Sequence, residues 1–214
     1  MRQKRPKKGK FSAPEIMWTT PLYEFLRQCN TTRLKKTILD CGAGSHAGIP
    51  PPLFLFYQYG YKTYGIEIEK KALAHANRFC KKNHIPLNII RGDMRRIPFK
   101  NKLFSFVYSF NAIVFMTKAD IAVVMSEIQR VLKPHGLCFV NFLSVDDPDR
   151  GPFRRTSFAC RLLKSKRFSL HKDNEADKYF RNFEILRKEK RLIEKLWYGR
   201  KIKQVYIDYI AKKK

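Results

Sequence analysis

The chain is short of acid. It has 18 Asp and Glu against 45 Lys and Arg, a formal net charge of +27 over 214 residues. The imbalance is uneven. Residues 1–36 carry ten basic and two acidic side chains, residues 37–147 fourteen and eight, and residues 148–214 twenty-one and eight. The excess sits at the two ends. Such ends read either as solvated, lysine-rich surface or as an electrostatic footprint for nucleic acid or another anionic surface. No apolar run approaches the roughly 20 residues of a membrane-crossing helix, so no membrane span is expected. No apolar secretory segment follows the basic start. The five cysteines, Cys29, Cys41, Cys80, Cys138 and Cys160, include no Cys-x-x-Cys pair. That scatter argues against a zinc site or a disulfide framework and fits a reducing, cytoplasmic setting. There is no internal repeat.

What is present is an alternation. Thr37–Asp40 is a short apolar run ending in an acid, followed by Gly42-Ala43-Gly44. Further strands are expected at Thr63–Glu67, Leu87–Ile90, Phe104–Ser109 and Leu137–Leu143. Helices are expected at Leu53–Tyr59, Glu69–Lys82 and Asp120–Leu132, from apolar residues recurring at helical spacing. Phe104–Ser109 is almost wholly apolar or aromatic, as a strand buried on both faces should be. Lys133-Pro134-His135-Gly136 reads as a turn. Five rounds of strand and helix predict a doubly wound α/β sheet. Residues 144–172 lack a period and read as a loop or insertion. Asp173–Phe180 reads as a short helix capped by Asp173. Phe183–Ile193 and Gln204–Ile210 read as an antiparallel pair at one sheet edge. The expected organisation is a basic tail and helical lid over 1–36, then one domain over 37–214. Within that domain the core is 37–143, the insertion 144–172, and the helix and edge hairpin 173–214.

Ligands of such sheets bind at the carboxyl ends of the strands. Asp40, Gly42, Gly44, Glu67, Asp93 and Asn111 all fall there. Glycines let backbone approach a ligand closely. An acid after the second strand can accept from both hydroxyls of a ribose, and one after the third from an exocyclic amine. A dinucleotide is the rival reading, because Gly42-Ala43-Gly44-Ser45-His46-Ala47 also satisfies Gly-x-Gly-x-x-Ala. A diphosphate needs a free helix N-terminus close behind the turn. Pro50-Pro51-Pro52 lack backbone donors and delay the helix, and Asp40 would face the phosphates. A cationic ligand suits these carboxylates better.

Thr37–Gly44, Gly65-Ile66-Glu67-Ile68, Gly92-Asp93-Met94, Ile97-Pro98-Phe99, Phe104–Val107 and Glu127–Gly136 together resemble class I S-adenosylmethionine-dependent methyltransferases, in particular the type 11 group. The resemblance covers residues 37–143. It implies a Rossmann-like methyltransferase fold, a seven-stranded, mostly parallel sheet whose last two strands form an antiparallel hairpin. It implies S-adenosyl-L-methionine as cofactor. Asp40, Cys41, Gly42 and Gly44 would lie around its methionine part. Glu67 would hold the ribose hydroxyls, with Ile68 against the adenine. Asp93 would accept from the adenine amine, the Met94 backbone would touch the ring, and Asn111 would stand between cofactor and acceptor. His46 departs from the small residue common at its position, and Glu67 replaces a commoner Asp. Trp18, Tyr23 and His46 are candidates for the substrate side, and His46, His171 and Tyr179 for proton acceptance, although no catalytic residue is required. Ser109-Phe110-Asn111-Ala112 is neither the Asn-Pro-Pro-Tyr turn of base-amine methyltransferases nor a Pro-Cys pair. A small-molecule acceptor is therefore expected. The alternatives are an RNA acceptor contacted through the basic termini and a non-catalytic adenosyl-binding module.

Overall fold

The computed structural model describes residues 20–46, 48–148, 169–197 and 200–214. Trp18 and most of the 144–172 insertion lie outside the described residues.

The central strands are the apolar runs. β1 (Thr37–Cys41) and β4 (Phe104–Ser109) are buried at every position. β2 is Lys62–Glu67 and β3 is Ile89–Arg91. β5 (Leu132–Ser144) lies beyond β4, and β6 (Leu170–His171) is a two-residue strand. β7 (Phe183–Trp197) and β8 (Arg200–Lys213) form the hairpin. All eight belong to one sheet in the order β3-β2-β1-β4-β5-β8-β7, with β6 pairing β5 off that path. β1, β2, β3, β4 and β5 pair in parallel. β8 runs antiparallel to both β5 and β7. The chain winds outward from β1 to β3 and then restarts at β4 on the other side of β1. The carboxyl ends of β1 and β4 thus border the crevice where such sheets hold ligands.

Helices cover both faces. α1 (Thr20–Asn30), α2 (Leu53–Gln58) and α3 (Lys70–Asn83) pack on one side, through Leu22, Phe25, Leu53 and Ala76 against Ile38, Phe106, Tyr108 and Phe139. α4 (Lys118–Val131) covers the other, laying Ile121, Val124, Met125 and Ile128 on Leu39, Val107 and Val140. Successive strand residues serve opposite cores, because side chains alternate across a pleat. α4 starts where Thr117 accepts a hydrogen bond from the Asp120 amide at 3.1 Å, an ordinary side-chain cap. α3 stops at His84, which adopts φ 54°.

Four expectations need correction. Pro134-His135-Gly136 is not a turn between elements. It is absorbed into the start of β5, with a register irregularity against β4 between Phe104 and Phe106 and His135 at φ 60°. Gly136 is needed there, since a Cβ would lie 2.8 Å from the Ser105 carbonyl oxygen. β3 begins two residues later than its apolar run, because Asn88 takes φ 54° and its side-chain amide donates to the Thr63 carbonyl at 3.0 Å. Asp173 does not cap the 175–180 segment, which is a 3-10 helix preceded by Asn174 at φ 67°. Asp173 instead pairs with Lys190 at 2.9 Å. The seven strands of the main path match the expected sheet, with β6 an eighth beside it among the described residues, while β8 outruns its expected bounds at both ends and β7 only beyond Ile193.

Candidate functional site

The glycine turn is shaped by its neighbours. Gly42 sits at φ +115°, where a side chain is strained, and a Cβ on it would lie 2.4 Å from the Ala112 Cβ in the loop after β4. The amides of Gly42 and Ala43 both donate to the Ile66 carbonyl at 3.0 Å, fastening the turn to β2. A Cβ on Gly44 would meet Glu67 Oε2 at 2.5 Å and Ala72 Cβ at 2.7 Å. The two glycines therefore let the turn touch different walls, Gly42 the β4 side and Gly44 the β2 side.

Glu67 ends β2 with its carboxylate turned back onto that loop. Oε2 accepts from the Gly44 amide at 2.9 Å and Oε1 from the Glu69 amide at 2.8 Å. A carboxylate has about four lone-pair sites, so each oxygen keeps capacity for a ligand hydroxyl. Burial raises the Glu67 pKa, against the opposing hydrogen bonds.

Asp40 lies beside it, 1% exposed at the end of β1. The Tyr108 hydroxyl donates to Asp40 Oδ2 at 2.7 Å. Burial pushes the Asp40 pKa up to about 8. The Tyr108 hydrogen bond opposes this, and the nearby Glu67 charge adds to it. Ser45, in the same loop, buries a hydroxyl oxygen that has no hydrogen-bond partner. A buried acid, a half-buried one that repels it and an unsatisfied hydroxyl suit a ligand that brings positive charge and polar groups. They do not suit a diphosphate, and α2 opens only at Leu53 with Pro52 at its N-cap. Cys41 is fully buried behind the turn.

Beyond β3, Asp93 caps the 3-10 turn Met94–Arg96 by accepting from the Arg95 amide at 2.9 Å. The Arg95 guanidinium also wraps its carboxylate, with Nε at 3.1 and 3.0 Å and Nη2 at 2.6 Å, and reaches Asp120 at 3.3 Å. Burial raises the Asp93 pKa, but the combined Arg95 contacts outweigh it and the net shift is downward. The carboxylate expected to receive an adenine amine is thus already engaged by an arginine that local sequence does not single out. Met94 is buried beneath Gly42, its Cε 3.8 Å from where a Gly42 Cβ would stand. Ile68 is half-buried after Glu67.

Asn111 follows β4 at φ 54°. Its amide donates to Asn141 Oδ1 at 2.7 Å, and Asn141 Nδ2 donates to Asn111 Oδ1 at 2.6 Å. Asn141 is fully buried in β5. A lone amide in the apolar run Leu137–Leu143 is the available sequence signal for it. Tyr108, the partner of Asp40, is likewise legible only as another aromatic in a buried strand.

Among the described residues, the candidates for the substrate side and for proton acceptance take these places. Tyr23 is 41% exposed on the outer side of α1, while Leu22 and Phe25 point inward. His46 is exposed in the glycine loop, and its charge acts on Glu69. His171, at the end of β6, is fully buried against Phe142 with both ring nitrogens unpartnered. Burial holds its pKa down to about 4. The Tyr179 hydroxyl donates to the Lys118 carbonyl at 3.3 Å.

Residues 39–140 match the family described as a methyltransferase domain. The fold is similar to that of an S-adenosylmethionine-dependent methyltransferase from Methanosarcina mazei, with 19% identity, TM-score 0.60, and coverage of 86% of this chain and 95% of that one. It is similar to TehB from Haemophilus influenzae, with 16% identity, TM-score 0.69, and coverage of 92% and 64%. It is also similar to the PH0226 protein of Pyrococcus horikoshii, with 19% identity, TM-score 0.64, and coverage of 91% and 88%. At these identities the likeness is one of fold. No curated protein matches the chain.

Proposed function

We propose, from the match of residues 39–140 to a methyltransferase-domain family, that this chain transfers a methyl group from S-adenosyl-L-methionine to a nucleophile on a small molecule. The family implies the cofactor. The observation that carries the reading is the meeting of strand ends, where Glu67 reaches back to the Gly44 amide at 2.9 Å while Asp40 lies buried beside them.

The cofactor supplies a methyl already activated by a sulfonium. The chain's residues have to bind, orient and exclude water. Glu67 has lone pairs left for the ribose hydroxyls. Asp40 and Glu67 offer negative charge to the cationic methionine portion, a favourable interaction in a poorly solvated pocket. The Gly42 turn lets backbone approach without a side chain between. Asn111, locked by Asn141, would set the acceptor's angle of approach. Orientation alone can supply several powers of ten in rate, so no general base is required unless the acceptor must lose a proton.

The small-molecule reading is supported by the loop after β4. Ser109-Phe110-Asn111-Ala112 offers no proline-lined slot for a flipped base, and Asn111 is tied into β5. The test is a transfer assay with radiolabelled cofactor against cell extract separated into RNA, protein and small-molecule fractions. Label in the small-molecule fraction is expected. Label confined to RNA or protein would overturn the acceptor, and absence of binding to S-adenosylmethionine and its demethylated product by calorimetry would overturn the enzyme reading.

A further inference from the structure

Acids gather at one edge of the sheet, where Arg91 at the end of β3 is also exposed. The acids Asp40, Glu67, Glu69, Asp93, Asp146 and Asp147 sit at carboxyl ends of strands or just beyond them. The opposite, amino edge is lysine at strand after strand. Lys82 lies in the last turn of α3 ahead of β3, Lys62 begins β2, Lys36 precedes β1, Lys102 precedes β4, Lys133 lies at the start of β5, and Lys213 closes the antiparallel β8. Register places them along one edge. Thr37 pairs with Lys62, Phe104 with Leu132, and Leu137 with Lys212. Lys36, Lys62, Lys82 and Lys102 are exposed. Lys102 lies near Lys213, whose pKa is lowered by burial and then by the Lys102 charge. Two acids lie nearby, and each is already paired: Glu127 with Arg130 at 2.7 Å and Glu184 with Lys212 at 2.7 Å.

We propose that this amino edge is a docking surface for RNA, separate from the methyl-transfer site. The row is linear. Lys213 is turned inward, its Nζ donating to the Gln129 and Leu132 carbonyls at 2.6 and 2.9 Å, which leaves five positions. Strands lie about 4.8 Å apart, so these five, from β3 to β5, extend over roughly 19 Å. One strand of a stacked nucleic acid carries a phosphate about every 3.4 Å, so about six phosphates face that length. A membrane surface fits less well, because interfacial helices need an apolar outer face. The exposed positions of α3 include Ala74, Asn77, Arg78 and Lys81. The edge offers strand ends and turns, where reading a B-DNA major groove calls for a helix or ribbon. RNA is recognised largely through shape and backbone. RNA docked here lies at the far end of the strands from Glu67 and Asp40, so docking and cofactor binding are separable.

The test uses the full chain and a labelled single-stranded RNA of about 20 nucleotides, titrated at several salt concentrations. The variant Lys62→Gln, Lys82→Gln, Lys102→Gln, Lys133→Gln is compared with Lys118→Gln, Lys172→Gln, Lys178→Gln, Lys203→Gln, which removes equal charge elsewhere. Loss of four phosphate contacts should lower the slope of log affinity against log salt by about 3 and weaken binding at least tenfold for the edge variant. The control should stay within twofold of wild type, and both should bind S-adenosylmethionine as wild type does. If the edge variant fails to fold, the single variants Lys62→Gln and Lys102→Gln replace it, each expected to lower the slope by about 0.7. RNA binding unaffected by the edge variant, equal losses in edge and control variants, or tighter binding to duplex DNA or phosphatidylserine vesicles would each overturn the proposal.

Discussion

Asn111 and Asn141 hold each other by two reciprocal hydrogen bonds, one from the Asn111 amide to Asn141 Oδ1 at 2.7 Å and one from Asn141 Nδ2 to Asn111 Oδ1 at 2.6 Å. Asn111 is in the left-handed region at φ 54°, a conformation Asn tolerates and most residues do not. The pair fixes the loop beyond the β4 edge to the next strand. Across the sheet Asn141 pairs with Asp208, whose carboxylate accepts from Arg191 Nε at 2.6 Å. The loop beyond β4 is thus joined through β5 to the hairpin strand that carries this ion pair.

Asn141→Leu keeps the volume and removes both bonds. The Asn111 amide then loses its acceptor, which costs about 1–3 kcal/mol and should lower the melting temperature. Asn111→Gly adopts the same backbone freely. It keeps the amide bond to Asn141 Oδ1 but leaves the buried Asn141 Nδ2 without its acceptor, so it too should lower stability, by about 1–3 kcal/mol. It should lower methyl transfer further than Asn141→Leu does if the Asn111 side chain orients the acceptor. Thermal denaturation and the transfer assay read the two effects separately. Unchanged stability in Asn141→Leu would show that the pair is not a fastening.

Glu67→Ala should weaken S-adenosylmethionine binding by about 1–3 kcal/mol through lost hydrogen bonds. Gly44→Ala should weaken it as well, although it removes no ligand contact, because its Cβ would meet Glu67 Oε2 at 2.5 Å and force the carboxylate aside. The double variant should be little worse than the worse single one, since both act through one side chain. Calorimetric affinities that simply add would mean that Gly44 acts independently of Glu67.

Arg95 tests the adenine contact. Its guanidinium occupies the Asp93 carboxylate through both oxygens. If Asp93 receives the adenine amine, Arg95→Ala should strengthen or preserve cofactor affinity, whereas Asp93→Ala should reduce it by about tenfold, one lost hydrogen bond's worth. Equal losses in both variants would assign Asp93 and Arg95 a joint structural role as the cap of the 94–96 turn.

Much of this is legible in the amino-acid order, for physical reasons that differ by element. β1 and β4 announce themselves because strands buried on both faces must be apolar, and Thr37–Cys41 and Phe104–Ser109 largely are. The carboxyl-edge residues are placed by that reading, since the position of Glu67 follows from where β2 stops. The hairpin outruns its apolar alternation because β7 is an outer strand. The added positions, 194–197 of β7 and 200–203 and 211–213 of β8, are rich in charged residues, lysine above all, so the apolar alternation fades before the strands do. β6 owes its two residues to pairing with Leu143 and Ser144, a long-range contact with no local trace. Asn141 and Arg95 escape a local reading for a similar reason. Their importance lies in the partners they hold, Asn111 across 30 residues and Asp93 across two, and it is those partners that the strand-end rule picks out. The gathering of acids at one sheet edge and lysines at the other needs the topology itself, because β8 brings its end to the amino edge only by running antiparallel.

The protonation of Asp40 gives a pH signature. In the folded protein its pKa is raised to about 8 by burial, while in the unfolded chain it is near 3.9. Between these values the folded state holds a proton that the unfolded state does not. The contribution of Asp40 to stability is therefore fully present below about pH 4 and is lost as pH rises through 8, at up to about 1.4 kcal/mol per pH unit. Asp40→Asn should flatten that part of the stability curve relative to wild type. The same proton links to binding. A cationic ligand favours ionised Asp40, so S-adenosylmethionine binding near pH 7 should release close to one proton, and affinity should rise with pH up to about 8. Calorimetry in buffers of different ionisation enthalpy measures that release directly. Asp40→Asn should abolish most of it. A wild-type protein that releases no proton on binding would overturn this coupling: Asp40 would either be ionised before the ligand arrives or stay neutral beside it, and only in the second case would it supply no charge.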